Sequence, residues 1–270
     1  MNGPLRRPTA ALAVLAALVG SVATAQFRGG RFGMRLQNNP PYDGAFQYCR
    51  GMYRRHPQGD GGGWTTDYPQ ADENLPFRFA ELTKASVSRD EHGRFNHQIV
   101  ALTDPALYKC PILIMQEVGS LYLDDADAAG LRDYLVKGGF LWVDDFWGTP
   151  AWDQWSDQIA RVLPEFPILD TTPADPIRQA LFTVANVKQV PSIFTWGGPG
   201  SDPRERGADS PHANFRVITD AQGRVIVAMT HNTDIGDSME REGDDPAYFA
   251  EFSPEGYALA TNIVLYALTH

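Results

Sequence analysis

The sequence is short of three things, and each shortage removes a class of function. It has only two cysteines, Cys49 and Cys110, in no C-x-x-C or other metal-like spacing, which excludes a cysteine-built zinc or dithiol redox centre. In an oxidising compartment the two thiols either pair or stay free. Basic residues are outnumbered, 23 Lys and Arg against 33 Asp and Glu, which argues against nucleic acid as a partner, because phosphate binding needs a basic face. Beyond residue 25, no apolar stretch approaches the length that spans a bilayer.

What the N-terminus does contain is an export pattern. Arg6 and Arg7 precede the apolar run Ala10 to Val19, and Ala23-Thr24-Ala25 is a small-x-small cleavage signal before Gln26, so residues 1–25 read as a secretory signal peptide. Pro8 stands where a twin-arginine signal would continue, so ordinary secretion to the periplasm or cell exterior is expected ahead of it. An uncleaved N-terminal anchor is the secondary reading. Cleavage leaves 21 basic against 33 acidic residues, a net charge of −12, and no membrane span is expected afterwards. Residues 26–42, rich in Gly, Arg, Asn and Pro, form a flexible lead-in, and residues 43–270 form a single domain.

Within that domain, strand and helix patterns alternate through most of residues 80–165, which predicts a mainly parallel sheet flanked by helices, a three-layer α/β fold. Phe46 to Tyr53 alternates like a strand. Asp72 is placed to cap a helix from Glu73 to Lys84 with Leu75, Phe79 and Leu82 on one face. The apolar run Pro111 to Gln116 ends at Glu117, and Asp124 or Asp125 caps the helix that ends at Gly138-Gly139. Phe140-Leu141-Trp142-Val143 then stops abruptly at Asp144-Asp145, before a helix from Trp152 to Leu163. A hairpin with strands Phe215 to Thr219 and Arg224 to Thr230 runs into His231-Asn232-Thr233-Asp234, and Ser253-Pro254-Glu255 reads as the start of the closing helix.

Three strand ends thus carry chemistry: Glu117, Asp144 with Asp145, and His231 with Asn232 and Asp234. In an open α/β sheet the crevice above the strand carboxyl ends is where ligands bind. Neighbours on an extended chain point to opposite sides, so one of Asp144 and Asp145 is expected to face it. Carboxylates with an imidazole bind a divalent cation or do acid–base work, and His231 titrates nearest neutrality. The same residues also have structural uses as caps, turn formers and a hydrogen-bonded histidine. The Gly-rich loop GDGGGWTTDYP adds Asp67 and Tyr68 but lacks a nucleotide-loop ending. Trp64, Tyr68, Trp147 and Trp152 offer aromatic faces for sugar rings, and Arg204 and Arg206, in the polar loop 196–213, can clamp an anion. No motif requires a cofactor, and a divalent metal is admissible.

The segments GGGWTTDYPQAD, LTDPALYKCPILIMQEVG, LRDYLVKGGFLWVDDFWG, THNTDIGD and FSPEGYALATNIVLYALTH, in that order, identify a family. Over residues 43–270 the chain closely resembles the domain of unknown function 4159 family of bacterial exported or membrane-associated proteins, which has no settled biochemical function. The resemblance implies a class I glutamine amidotransferase-like, flavodoxin-like fold. In catalytic amidotransferases a cysteine occupies the turn that here reads VDDFWG, so the resemblance does not extend to glutaminase activity. Two functions are carried forward. The first is a non-catalytic envelope module binding a carbohydrate, peptide or protein partner in the strand-end crevice. The second is a hydrolase, metal-assisted or not, using Asp144 or Asp145 with His231 and Asp234.

Overall fold

A computed structural model describes residues 39–270; the expected signal peptide, residues 1–25, and most of the expected lead-in, residues 26–42, lie outside the described residues. Five parallel strands form the heart of the sheet. They are β1 (Tyr48–Met52), β3 (His97–Ala101), β4 (Leu113–Gln116), β6 (Leu141–Asp144) and β9 (Val225–His231). Two antiparallel strands, β8 (Asn214–Thr219) and β7 (Ile168–Asp170), extend it in the order β3-β1-β4-β6-β9-β8-β7. Numbered along the chain, the parallel strands run 2-1-3-4-5, the doubly wound order of flavodoxin-like folds, with its switch point between β1 and β4. A small antiparallel pair, β2 (Arg54–Arg55) and β5 (Leu121–Tyr122), sits beside that point.

Helices cover both faces. α1 (Gln70–Thr83), α4 (Ile235–Glu240) and α5 (Pro246–Thr269) pack over one apolar cluster containing Trp142 and Ile114. α2 (Asp125–Val136) and α3 (Gly148–Val162) pack over the other, with Val143, Met115 and Met229. Among the described residues, no helix is long and apolar enough to cross a membrane.

Several sequence expectations need correction. β1 is buried on both faces, with Tyr48 in one apolar cluster and Cys49 in the other, so the apparent alternation includes a buried Arg50. Asp72 does not cap α1; it lies in its first turn, fully buried and paired with Arg50. Leu82 is exposed rather than on the inner face. α5 begins at Pro246, capped by Asp245, and runs straight through Pro254. An interior proline costs about 3 kcal/mol. Burial of Tyr248 and Phe252 before it and Tyr257 and Leu259 after it offsets that cost. The expected cap at Asp124 is present, as is the hairpin. Cys49 and Cys110 form a disulfide joining β1 to the chain just before β4.

Candidate functional site

The strand ends turn into their loops through an unusual backbone. Glu117, Asp145 and Asn232, each the first residue after a parallel strand, all have left-handed φ, at 50°, 55° and 60°. Asp67, in the loop before α1, is a fourth, at 63°. Non-glycine residues adopt this region rarely, with Asp and Asn the most tolerant, and held examples concentrate at functional sites. At Asp145 the consequence is direct. The chain is not extended there, so the opposite-side rule fails, and both Asp144 and Asp145 belong to one buried group of carboxylates.

Each member is anchored differently. Asp144 is fully buried; Thr230 Oγ1 donates to one oxygen and the Gly236 backbone N–H donates to the other at 2.8 Å. Asp145 accepts from Trp147 Nε1 at 2.9 Å. Glu117 accepts from the Gly63 N–H at 2.7 Å. Gly61, at φ 113°, lets the loop approach this closely, since a Cβ there would lie 2.6 Å from Glu117 Oε2. Asp234 caps α4 by accepting from the Asp237 N–H at 2.7 Å. Asp67 is held by its backbone neighbours, because Arg50 Nη1 donates to the carbonyls of Trp64 at 2.9 Å and Thr66 at 2.7 Å.

Burial raises the proton affinity of every one of these groups. Asp144 is pushed up to about 7, by burial above all. Asp67, Asp145 and Asp234 are pushed well above the usual carboxylate range by burial and then by one another: Asp237 acts on Asp67, Glu117 on Asp145, and Asp145 on Asp234. Glu117 and Asp237 rise for the same first reason, and Glu240 to about 7. Such mutual repulsion is relieved by a proton or by a cation.

Other candidates lie elsewhere or are already engaged. His231 occupies the opposite face of the sheet from its neighbour Thr230, packed against the Phe146 and Trp152 rings at 4.9 and 5.1 Å. Arg216 approaches its Nδ1 at 3.4 Å and can only donate, so Nε2–H donates to the Gly148 carbonyl at 3.1 Å. Burial pushes the imidazole down to about 4, so it is neutral near pH 7. Asn232 stitches the loops after β6 and β9, accepting from Gly148 N–H at 2.8 Å and donating its own N–H to Phe146 O at 2.9 Å. Trp147 is buried, Trp152 lies under the Arg216 guanidinium at 4.2 Å, and Tyr68 pairs its hydroxyl with His97 Nε2 at 3.2 Å. Arg204 is paired with Asp202.

The loop 196–213 closes over the strand ends and is pinned at three points. Arg206 pairs with Asp60 of the Gly-rich loop at 2.8 Å, Glu205 accepts from the Ser192 N–H at 2.6 Å, and Asp209 accepts from Thr149 Oγ1 at 2.6 Å. The sequence reading missed Gln116, Asp237 and Glu240. Of these, only the pair on α4 left a signal, since residues three apart share a helix face.

Among proteins of curated function, none matches the chain. The family described as Domain of unknown function (DUF4159) matches residues 53–268, which is nearly all of the α/β domain, and the chain belongs to that family.

Proposed function

We propose that this is an exported, non-catalytic binding module whose strand-end crevice takes a ligand bearing a positive charge, such as an amino sugar or a Lys- or Arg-containing peptide or protein segment. One observation carries the reading. Asp67, Glu117, Asp144, Asp145 and Asp234 are gathered at one end of the sheet, four of them at backbone turns or caps that fix their positions, and they repel one another there. A cationic group placed among them would remove that repulsion. The Arg206–Asp60 pair above them is partly exposed, and a pair of that kind contributes roughly 0–1 kcal/mol, so this one of the loop's three anchors would release at little cost.

A hydrolase built on Asp144 or Asp145 with His231 and Asp234 fits less well. It asks for an imidazole beside the carboxylates, whereas the His231 ring is held on the other face by Gly148, Phe146 and Trp152. Export is favoured by the N-terminal pattern and by the Cys49–Cys110 disulfide, a bond that persists in oxidising compartments.

The test is equilibrium binding to glucosamine oligomers and to Lys- and Arg-rich peptides, with the acetylated, uncharged counterparts as controls. Binding to the charged set that weakens on raising salt and is lost in Asp145→Asn supports the proposal. Equal binding to the uncharged set, or turnover of a glycan or peptide, sinks it.

A further inference from the structure

Below the crevice lies a tighter cluster that shares only Asp67 with the ligand reading. α4 carries Asp237 and Glu240, three residues apart on one helix face, and Asp67 reaches them from its left-handed turn across the top of α1. One oxygen from each of Asp67, Asp237 and Glu240 can be chosen so that all three lie within 4.8 Å of one another. Arg241 meets the outer side of the group, 2.9 Å from Glu240 and 3.6 Å from Asp237. Asp67 gains nothing from it: its Oδ2 is buried and has no hydrogen-bond partner.

A second observation, independent of the acidic residues, points to the same place. Gln116, the last residue of β4, is fully buried, and neither its Nε2 nor its Oε1 has a partner. An unpaired buried amide costs about 1–3 kcal/mol, so its retention in a core asks for a reason. Its direction is fixed by Gly236. A Cβ added there would overlap Asp67 Oδ2 and lie 2.9 Å from Gln116 Nε2, so the amide and the orphaned carboxylate oxygen converge on one face of α4. A half-turn of the amide presents Oε1 in place of Nε2.

We propose that Asp67, Asp237 and Glu240, with Gln116 Oε1 as a neutral fourth oxygen, hold one calcium ion. The donor set is all oxygen, which suits hard cations and disfavours zinc or copper. Ligand geometry then separates the hard cations. Two oxygens on opposite sides of one ion stand about 4.6–5.2 Å apart for Ca2+ and about 4.0–4.2 Å apart for Mg2+. The three oxygens lie within 4.8 Å of one another, which either ion allows; calcium is favoured because it accepts irregular sets of protein oxygens, whereas magnesium demands near-ideal octahedral geometry and gives up its waters reluctantly. The ion would tie the Gly-rich loop, through Asp67, to α4. The proposal stands whether or not the crevice above takes an organic ligand.

Isothermal titration of the chelator-treated mature protein with CaCl2, and separately with MgCl2, tests it. The expected result is one calcium per chain, weaker binding of magnesium, and affinity reduced more than about tenfold in both Asp67→Asn and Glu240→Gln. Glu240 is partly exposed, so its variant should fold, and circular dichroism checks that both variants do. Hydrogen exchange adds a second readout: calcium should slow exchange in residues 57–69 of the wild type and not in Glu240→Gln. Absence of calcium binding at millimolar concentration, or undiminished affinity in folded Glu240→Gln, overturns the proposal. Loss of peptide or glycan binding with calcium binding intact would count against the crevice reading alone.

Discussion

Arg50 and Asp72 meet at 2.5 Å with neither side chain exposed, Arg50 from the middle of β1 and Asp72 from the first turn of α1. The same guanidinium donates to the carbonyls of Trp64 and Thr66, so one buried cation sets the path of the loop that delivers Asp67. Removing one partner of a buried pair strands the other charge, which typically costs 3–5 kcal/mol. Arg50→Met is expected to lower unfolding free energy by about that much, read by urea denaturation. A loss below about 1 kcal/mol would mean that the pair does not hold β1 to α1.

The disulfide closes a loop across 61 residues between neighbouring strands. In the chain-entropy account a loop of this size is worth about 4 kcal/mol. Replacing Cys49 and Cys110 together by Ala should cost roughly 2–4 kcal/mol in denaturant titration, and dithiothreitol should destabilise the wild type while leaving the double variant unchanged.

Two buried groups should leave opposite marks on stability against pH. His231 titrates at about 4 in the fold against 6.5 as an unperturbed group, so between those values the unfolded chain binds the extra proton. Stability from this source is intact above about pH 6.5 and lost as pH falls to 4, by roughly 3 kcal/mol at most. Asp144 titrates at about 7 against 3.8, so here the folded chain holds the extra proton. Its contribution rises as pH falls through 7 and is complete near 4. Subtracting the stability profile of His231→Gln from that of the wild type should give a curve climbing with pH. The same subtraction for Asp144→Asn should give one that descends.

Arg206 spans the crevice to Asp60 with both groups partly exposed. Arg206→Ala should change global stability by less than about 1 kcal/mol. It should nonetheless speed amide exchange in residues 57–63 and 196–213, because one of the loop's three anchors is gone. Unchanged exchange in both segments would show that the Glu205 and Asp209 contacts suffice.

Much of the framework was legible because it depends on local pattern. The Gly138-Gly139 break, the apolar run of β6 and its stop at two aspartates located the central strand, and the cap signal at Asp124 or Asp125 located α2. The same reading placed Glu117, Asp145 and Asn232 at strand ends, and the structure puts all three there. Orientation was not legible. The opposite-side rule assumes an extended chain, and the left-handed turn at Asp145 breaks it. His231 follows Thr230 in an extended strand, so it faces the other layer, and this can be read only once the face that Thr230 shares with Asp144 is known.

The sequence by itself determined the alternation of strands and helices, the family and the end of the sheet where acidic residues collect, because periodicity, caps and motif order are properties of short stretches. Only the tertiary structure decided that Asp72 is the buried partner of Arg50, that Cys49 bonds Cys110, and that Asp67, Gln116, Asp237 and Glu240 converge. Those residues come from segments far apart in the chain. Their meeting is set by the β1–β4 switch point and by the packing of α1 against α4, and no local stretch encodes either one.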